Sequence, residues 1–111
     1  MANDLNNVIL VGRITADLEM GYTPSGAACL NFSLAVNRKY NDKEEVSFIG
    51  CQVWNKTAEI MCQYCKKGSQ VGITGELIQD RWEKDGQKQS KIKVVVRNVQ
   101  FLSIKDGGKD D

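Results

Sequence analysis

The chain has 111 residues, 41% of them hydrophobic and 26% charged, which is enough for one domain whose core needs neither disulfides nor metal. No apolar run approaches the roughly 18 residues of a membrane span, and the opening MANDLNN lacks the basic and apolar regions of a signal peptide, so a cytoplasmic protein with no membrane partner is expected. The net charge of +1 does not by itself point to a polyanionic partner.

Residues 5–13 (LNNVILVGR) carry the apolar run VILV ending at Gly12, a pattern that suits a strand covered on both faces or one at a subunit contact. Residues 14–22 are irregular in period and predict a bent or bulged continuation. TPSG (23–26) is a turn, with Pro24 presetting its second position. Residues 28–37 then alternate strictly: Ala28, Leu30, Phe32, Leu34 and Val36 against Cys29, Asn31, Ser33, Ala35 and Asn37, so one face is core and the other mostly polar. Arg38, Lys39 and Tyr40 lead into NDKEE, which reads as a charged loop reaching to about Val46. Such a loop either folds over a ligand strand, with Tyr40 at its base, or merely joins two strands.

The strand that follows, 46–54, holds the most informative stretch, FIGCQVWNK (48–56). Alternation sends Ile49, Cys51 and Val53 to the core and Phe48, Gly50, Gln52 and Trp54 to the other face, with Lys56 just beyond. Two large rings on an otherwise small and neutral face lie roughly 20 Å apart along a strand, a spacing for separate stacking partners. NKTAEIMCQYCKKG predicts a short helix capped by Asn55 or Thr57, with Lys66 and Lys67 in its last turn and Gly68 ending it. Residues 69–82 form a strand with Val71, Ile73 and Leu77 on one face, and Gly72 and Gly75 within it mark a bend or a close backbone approach. Asp85-Gly86 is a hairpin turn. The return strand, 88–102, sets Ile92, Val94 and Val96 against Lys91, Lys93, Val95 and Arg97.

This hairpin concentrates charge: Arg81, Lys84, Lys88, Lys91, Lys93 and Arg97 stand against Glu83 and Asp85, a surplus of +4. It either attracts phosphates or is a solvated edge whose lysines block aggregation. Cys29, Cys51, Cys62 and Cys65 include one CxxC, but the chain has no histidine and no second such pair, and Ala58, Met61, Cys62 and Cys65 share one helical stripe. The favoured reading is reduced core thiols, with no metal and no cofactor. No nucleophile–base pair or paired carboxylates stand out, so there are no candidate catalytic residues and no enzyme is expected. Tyr22, Phe32, Tyr64 and Phe101 read as structural. Five strands, with one short helix between the third and fourth, are the order of an all-β OB-fold, a Greek-key barrel that presents a sheet face and loops to oligonucleotides or oligosaccharides.

NNVILVGRITAD, YTPSG, NFSLAVNR, VSFIGCQVWNKTAE and YCKKGSQVGITGEL together resemble the bacterial single-stranded DNA-binding protein family, in order and spacing, over residues 5–103. The resemblance implies an OB-fold that assembles as a homotetramer and binds single-stranded DNA without reading its sequence, in replication, recombination and repair. It implies stacking of bases on Tyr40, Phe48, Trp54 and Trp82, with Lys56 and Lys67 along the DNA path. Arg38, Arg81, Lys84, Lys91 and Lys93 complete the candidate phosphate contacts. The alternatives are a primosomal-type OB protein that mainly docks other proteins, and an OB module binding RNA or protein. The set of stacking rings argues against a mere docking module.

Three departures from the family pattern stand out. Leu18 follows Asp17 where proline is common, Ile78 and Asp80 replace residues often polar or basic, and the chain ends in GGKDD. Family members typically carry a long glycine-rich tail with an acidic, hydrophobic tip that recruits replication and repair proteins. Here residues 1–104 are expected to form the DNA-binding domain and residues 105–111 a short disordered acidic end, with reduced recruitment of such partners.

Overall fold

The computed structural model describes residues 4–103. The elements are β1 (Val8–Ile14), β2 (Gly21–Tyr22), β3 (Ala28–Tyr40), β4 (Lys43–Trp54), α1 (Asn55–Tyr64), β5 (Gln70–Lys84) and β6 (Gln87–Phe101). The sheet order is β1-β5-β6-β4-β3-β2, and a further β1–β3 pairing, Arg13 with Ala35 and Ile14 with Leu34, closes the long strands into a barrel. β4 and β6 pair in parallel while the other ladders are antiparallel. This is the expected all-β OB-fold of five long strands, with the helix between the third and fourth of them; the two-residue β2 is an added rung on β3.

The alternation read from the sequence is what closes the core. Leu30 and Leu34 of β3, Val53 of β4, Val71 and Ile73 of β5 and Val94 of β6 point inward and are fully buried, each worth about 1.5–3 kcal/mol relative to exposure. Ala58 and Met61 of α1, with Cys65 just beyond it, seal one end. Phe32 is buried as expected, and Tyr64 packs its ring 6.0 Å from Phe101. Tyr22, by contrast, is exposed on β2, because that strand covers only the outer end of β3.

Closure needs two close approaches. A Cβ on Gly12 would lie 2.4 Å from the Ala35 carbonyl oxygen where β1 crosses β3, and one on Gly75 would lie 2.2 Å from that of Val95. Beside Gly75 the β5–β6 register shifts: Thr74 faces Asn98 but Gly75 faces Val96, leaving Arg97 as the extra residue of a bulge. The bulge switches the inward residues of β6 from Val94 and Val96 to Val99 and Phe101, so NVQF keeps its apolar side on the core.

Two expectations need correction. NDKEE is not a loop. β3 runs on to Tyr40, β4 starts at Lys43, and Asn41 and Asp42 form a two-residue turn with φ of 52° and 64°. Asn and Asp tolerate this left-handed conformation, and a type I′ turn matches strand twist, so the charged residues line a protruding hairpin. The helix is also shorter than expected. It ends at Tyr64, Cys65 is extended, and Lys66 and Lys67 lie in a following turn in which the Ser69 N–H donates to the Lys66 carbonyl, with Gly68 at φ 92°. Neither Asn55 nor Thr57 caps it: Trp54 is the N-cap residue, without a side-chain cap. Asp85 and Gly86, at φ of 53° and 78°, make the expected turn. The proposed acidic end, 105–111, lies outside the described residues.

Candidate nucleic-acid interface

Because side chains alternate across each strand, the ladder registers place the candidate residues on definite faces. On the outer face of β4 lie Phe48, Gly50, Gln52 and Trp54, opposite Ala35, Ser33, Asn31 and Cys29 of β3. These neighbours are small or polar, so the rings meet no large side chain from that strand. Phe48 is 65% exposed. Trp54 is half-buried, at the junction where β4 passes directly into α1 at Asn55 (φ 57°).

The other flank of β4 is β6, where Gln52 sits beside Val95, so Lys93 and Lys91 continue along the same outer face. β5 adds Ile78, Asp80 and Trp82 opposite Lys93, Lys91 and Gln89. Four strands thus share one surface carrying Trp54, Phe48, Lys91, Lys93 and Trp82, the last 45% exposed, with Lys84 further along. A recess of about 670 Å³ opens in its middle, lined by Asn31, Ser33, Phe48, Gln52, Asp80, Lys91 and Lys93 among others. A second, of about 510 Å³, lies along the β5–β6 hairpin between Arg81, Trp82, Lys88 and Gln89.

Other candidates fall elsewhere. Tyr40 and Arg38 alternate with the outward residues of β3 and so occupy the opposite face of the β3–β4 hairpin. There the Arg38 guanidinium lies 4.7 Å from the Tyr40 ring centre and 3.4 Å from Glu45 Oε1. Arg81 is on the face of β5 opposite Trp82, donating to Gln79 Oε1 at 2.7 Å. Lys56 is exposed in the first turn of α1, two residues beyond Trp54, and Lys67 is exposed in the turn after the helix.

Two features of the surface escape sequence reading. Trp54 Nε1 donates to Gln52 Oε1 at 3.2 Å, and Gln52 Nε2 donates to Asn31 Oδ1 at 3.1 Å, a relay across two strands. Lys93 Nζ is 2.9 Å from Asp80 Oδ2, so a carboxylate holds one of the basic groups of the recess. Cross-strand register creates the Gln52–Asn31 bond and the Asp80–Lys93 pair, and only the position of Asp80 was visible as a departure in charge. Behind the face, burial pushes the Cys51 thiol up to about 12, which keeps it protonated, and it donates to the Ile49 carbonyl. Among the described residues no three His, Cys, Asp or Glu side chains gather into a metal site.

Residues 5–102 match the model of the single-strand binding protein family. A single-stranded DNA-binding protein of Treponema pallidum is 44% identical over 109 residues, covering 95% of this chain and 62% of the relative. Single-stranded DNA-binding protein A of Bacillus subtilis is 44% identical over 108 residues, covering 94% of this chain and 63% of the relative. The chain therefore spans a little over three fifths of the length of these relatives. In structure it is similar to the Plasmodium falciparum SSB complex with ssDNA, with a TM-score of 0.85 at 21% identity over 93% of this chain and 99% of that one, a likeness of fold.

Proposed function

The chain belongs to the single-strand binding protein family, and on that footing we propose that its outer sheet face binds single-stranded DNA without regard to sequence. The observation that carries this reading is one surface bearing Trp54, Phe48 and Trp82 together with Lys91 and Lys93. Each ring offers a π-face to any base, worth roughly 1–3 kcal/mol per stacked base. The lysines add a salt-dependent phosphate term that carries no sequence information. Lys56 and Lys84 extend the basic track at its two ends, and Lys67 lies beyond α1. Tyr40 and Arg38 join a strand that wraps around the β3–β4 hairpin to its other face, and Arg81 meets DNA along the recess of the β5–β6 hairpin.

The role that follows is to coat and protect exposed single strands during replication, recombination and repair in the cytoplasm, by binding rather than by catalysis. Residues 1–104 act as the DNA-binding unit. Self-association, up to a homotetramer, is supported by β1: Ile9 and Val11 are exposed on its outer face, and among the described residues its ladder with β3 is limited to Arg13 and Ile14. No helix among the described residues is long and apolar enough to cross a membrane. The stacking rings favour this reading over a protein-docking OB module.

Tryptophan emission during titration with oligo(dT), beside duplex of equal length, tests the proposal. Strong quenching by the single strand alone, relieved by salt, is expected; no quenching by either would overturn it.

A further inference from the structure

The relay on the binding face has a fixed direction. An indole nitrogen can only donate a hydrogen bond. Trp54 Nε1 therefore turns the Gln52 oxygen toward itself (3.2 Å), the Gln52 nitrogen is left to donate to Asn31 Oδ1 (3.1 Å), and the Asn31 amide must present its nitrogen outward. Two N–H donors of Asn31 and one of Gln52 remain. Both residues line the 670 Å³ recess, beside the Ser33 hydroxyl and the Lys91 and Lys93 ammonium groups, while the Asp80 carboxylate is engaged by Lys93. Apart from Asp80, the polar side chains of the recess thus offer donors beside the apolar Phe32 and Phe48, and the polar group these donors suit is an oxygen acceptor.

We infer that Gln52 is a positioning residue with two linked tasks: it pins the Trp54 indole and aims the Asn31 amide as a donor at an oxygen of the bound strand. The inference rests on the proposed single-strand binding by this face. Stacking is blind to base identity because every base has a π-face, but an aimed donor is not blind to oxygen. The acceptor is either a base carbonyl, which thymine has and adenine lacks, or a phosphate oxygen, which both strands share. Ring orientation and the donor would be separable, because a carboxylate at position 52 can accept from the indole yet cannot donate to Asn31.

The test uses two variants of the full chain and two readouts. In the ¹⁵N-labelled free protein the indole N–H resonances of Trp54 and Trp82 are told apart by Trp82→Phe. Gln52→Met should move the Trp54 resonance upfield and speed its exchange with water, while Gln52→Glu should keep it bonded. In binding to labelled oligonucleotides, Gln52→Met should weaken affinity about two- to tenfold, the worth of one net hydrogen bond. Gln52→Glu should be weaker still, since Asn31 must turn its oxygen outward next to a new negative charge. A loss on oligo(dT) but not oligo(dA) assigns the acceptor to a base carbonyl, and an equal loss on both assigns it to phosphate. An unmoved indole resonance in Gln52→Met, or wild-type affinity in Gln52→Glu, overturns the inference. Wild-type protein that binds neither oligonucleotide overturns the binding reading and this inference together, whereas wild-type binding with unaffected variants overturns this inference alone.

Discussion

Among the described residues Asp80 is the one carboxylate lining the central recess, and replacing it with Asn should strengthen DNA binding. Its Oδ2 lies 2.9 Å from Lys93 Nζ, whose side chain is only 19% exposed, so the ammonium already has a counter-charge before any phosphate arrives. A strand placing a phosphate there must compete with Asp80, and fewer counterions are released. In Asp80→Asn the amide oxygen still accepts from Lys93, which holds the side chain in place but leaves its charge available. Each phosphate neutralised on a single strand adds about 0.7 to the slope of log K against log salt, so the gain over wild type should grow about fivefold between 1 M and 0.1 M salt. Because the pair is partly exposed, its loss should change stability by less than about 1 kcal/mol. Fluorescence anisotropy of labelled oligo(dT) across a salt series, with thermal melts as the control for folding, measures both. Equal slopes for variant and wild type would mean that no phosphate approaches Lys93, and weaker binding would mean that Asp80 is needed to aim it.

Adding a methyl at Gly75 forces a contact of 2.2 Å with the Val95 backbone oxygen, so Gly75→Ala should cost about 1–3 kcal/mol or more. Gly50→Ala, with nothing within 4 Å of the new atom, should melt within a few degrees of wild type, and similar melting of the two variants would contradict the close approach. Above pH 9 an unfolded Cys51 thiol has lost its proton, while the folded one, held at about 12, keeps it. Unfolding then releases a proton, so the contribution of this group to stability is fully present below pH 9 and is lost as pH rises toward 12. Denaturant titrations from pH 8 to 11 should show a shallower alkaline decline in Cys51→Ala than in wild type, whatever the absolute cost of the cavity; parallel declines would deny the role of burial.

The barrel was legible because its long strands obey period two: Leu30, Leu34, Val53, Val71, Ile73 and Val94 occupy the inward positions that alternation assigns. The rings of FIGCQVWNK could be assigned a face for the same reason. Reach and register were not legible. Charged residues can line a solvated hairpin as well as a loop, so Lys39 and Glu44 hid the extension of β3 and β4 around Asn41-Asp42. Helical propensity around Lys66 and Lys67 could not reveal that Cys65 would leave the helix to bury its side chain. The bulge at Arg97, the Gln52 relay and the Asp80–Lys93 pair all depend on which residues of neighbouring strands meet. The two-residue turns at Asn41-Asp42 and Asp85-Gly86 set these registers, and the first of them was not read from the sequence.

The central claim is that the outer sheet face stacks bases of any sequence, and the affinity of Trp54→Ala for oligo(dT), oligo(dC) and oligo(dA) tests it most directly. Stacking predicts a loss of roughly 1–3 kcal/mol per stacked base on all three strands, with the salt slope unchanged because no charge has been removed. Wild-type affinity in Trp54→Ala, with the variant fully folded, would contradict it.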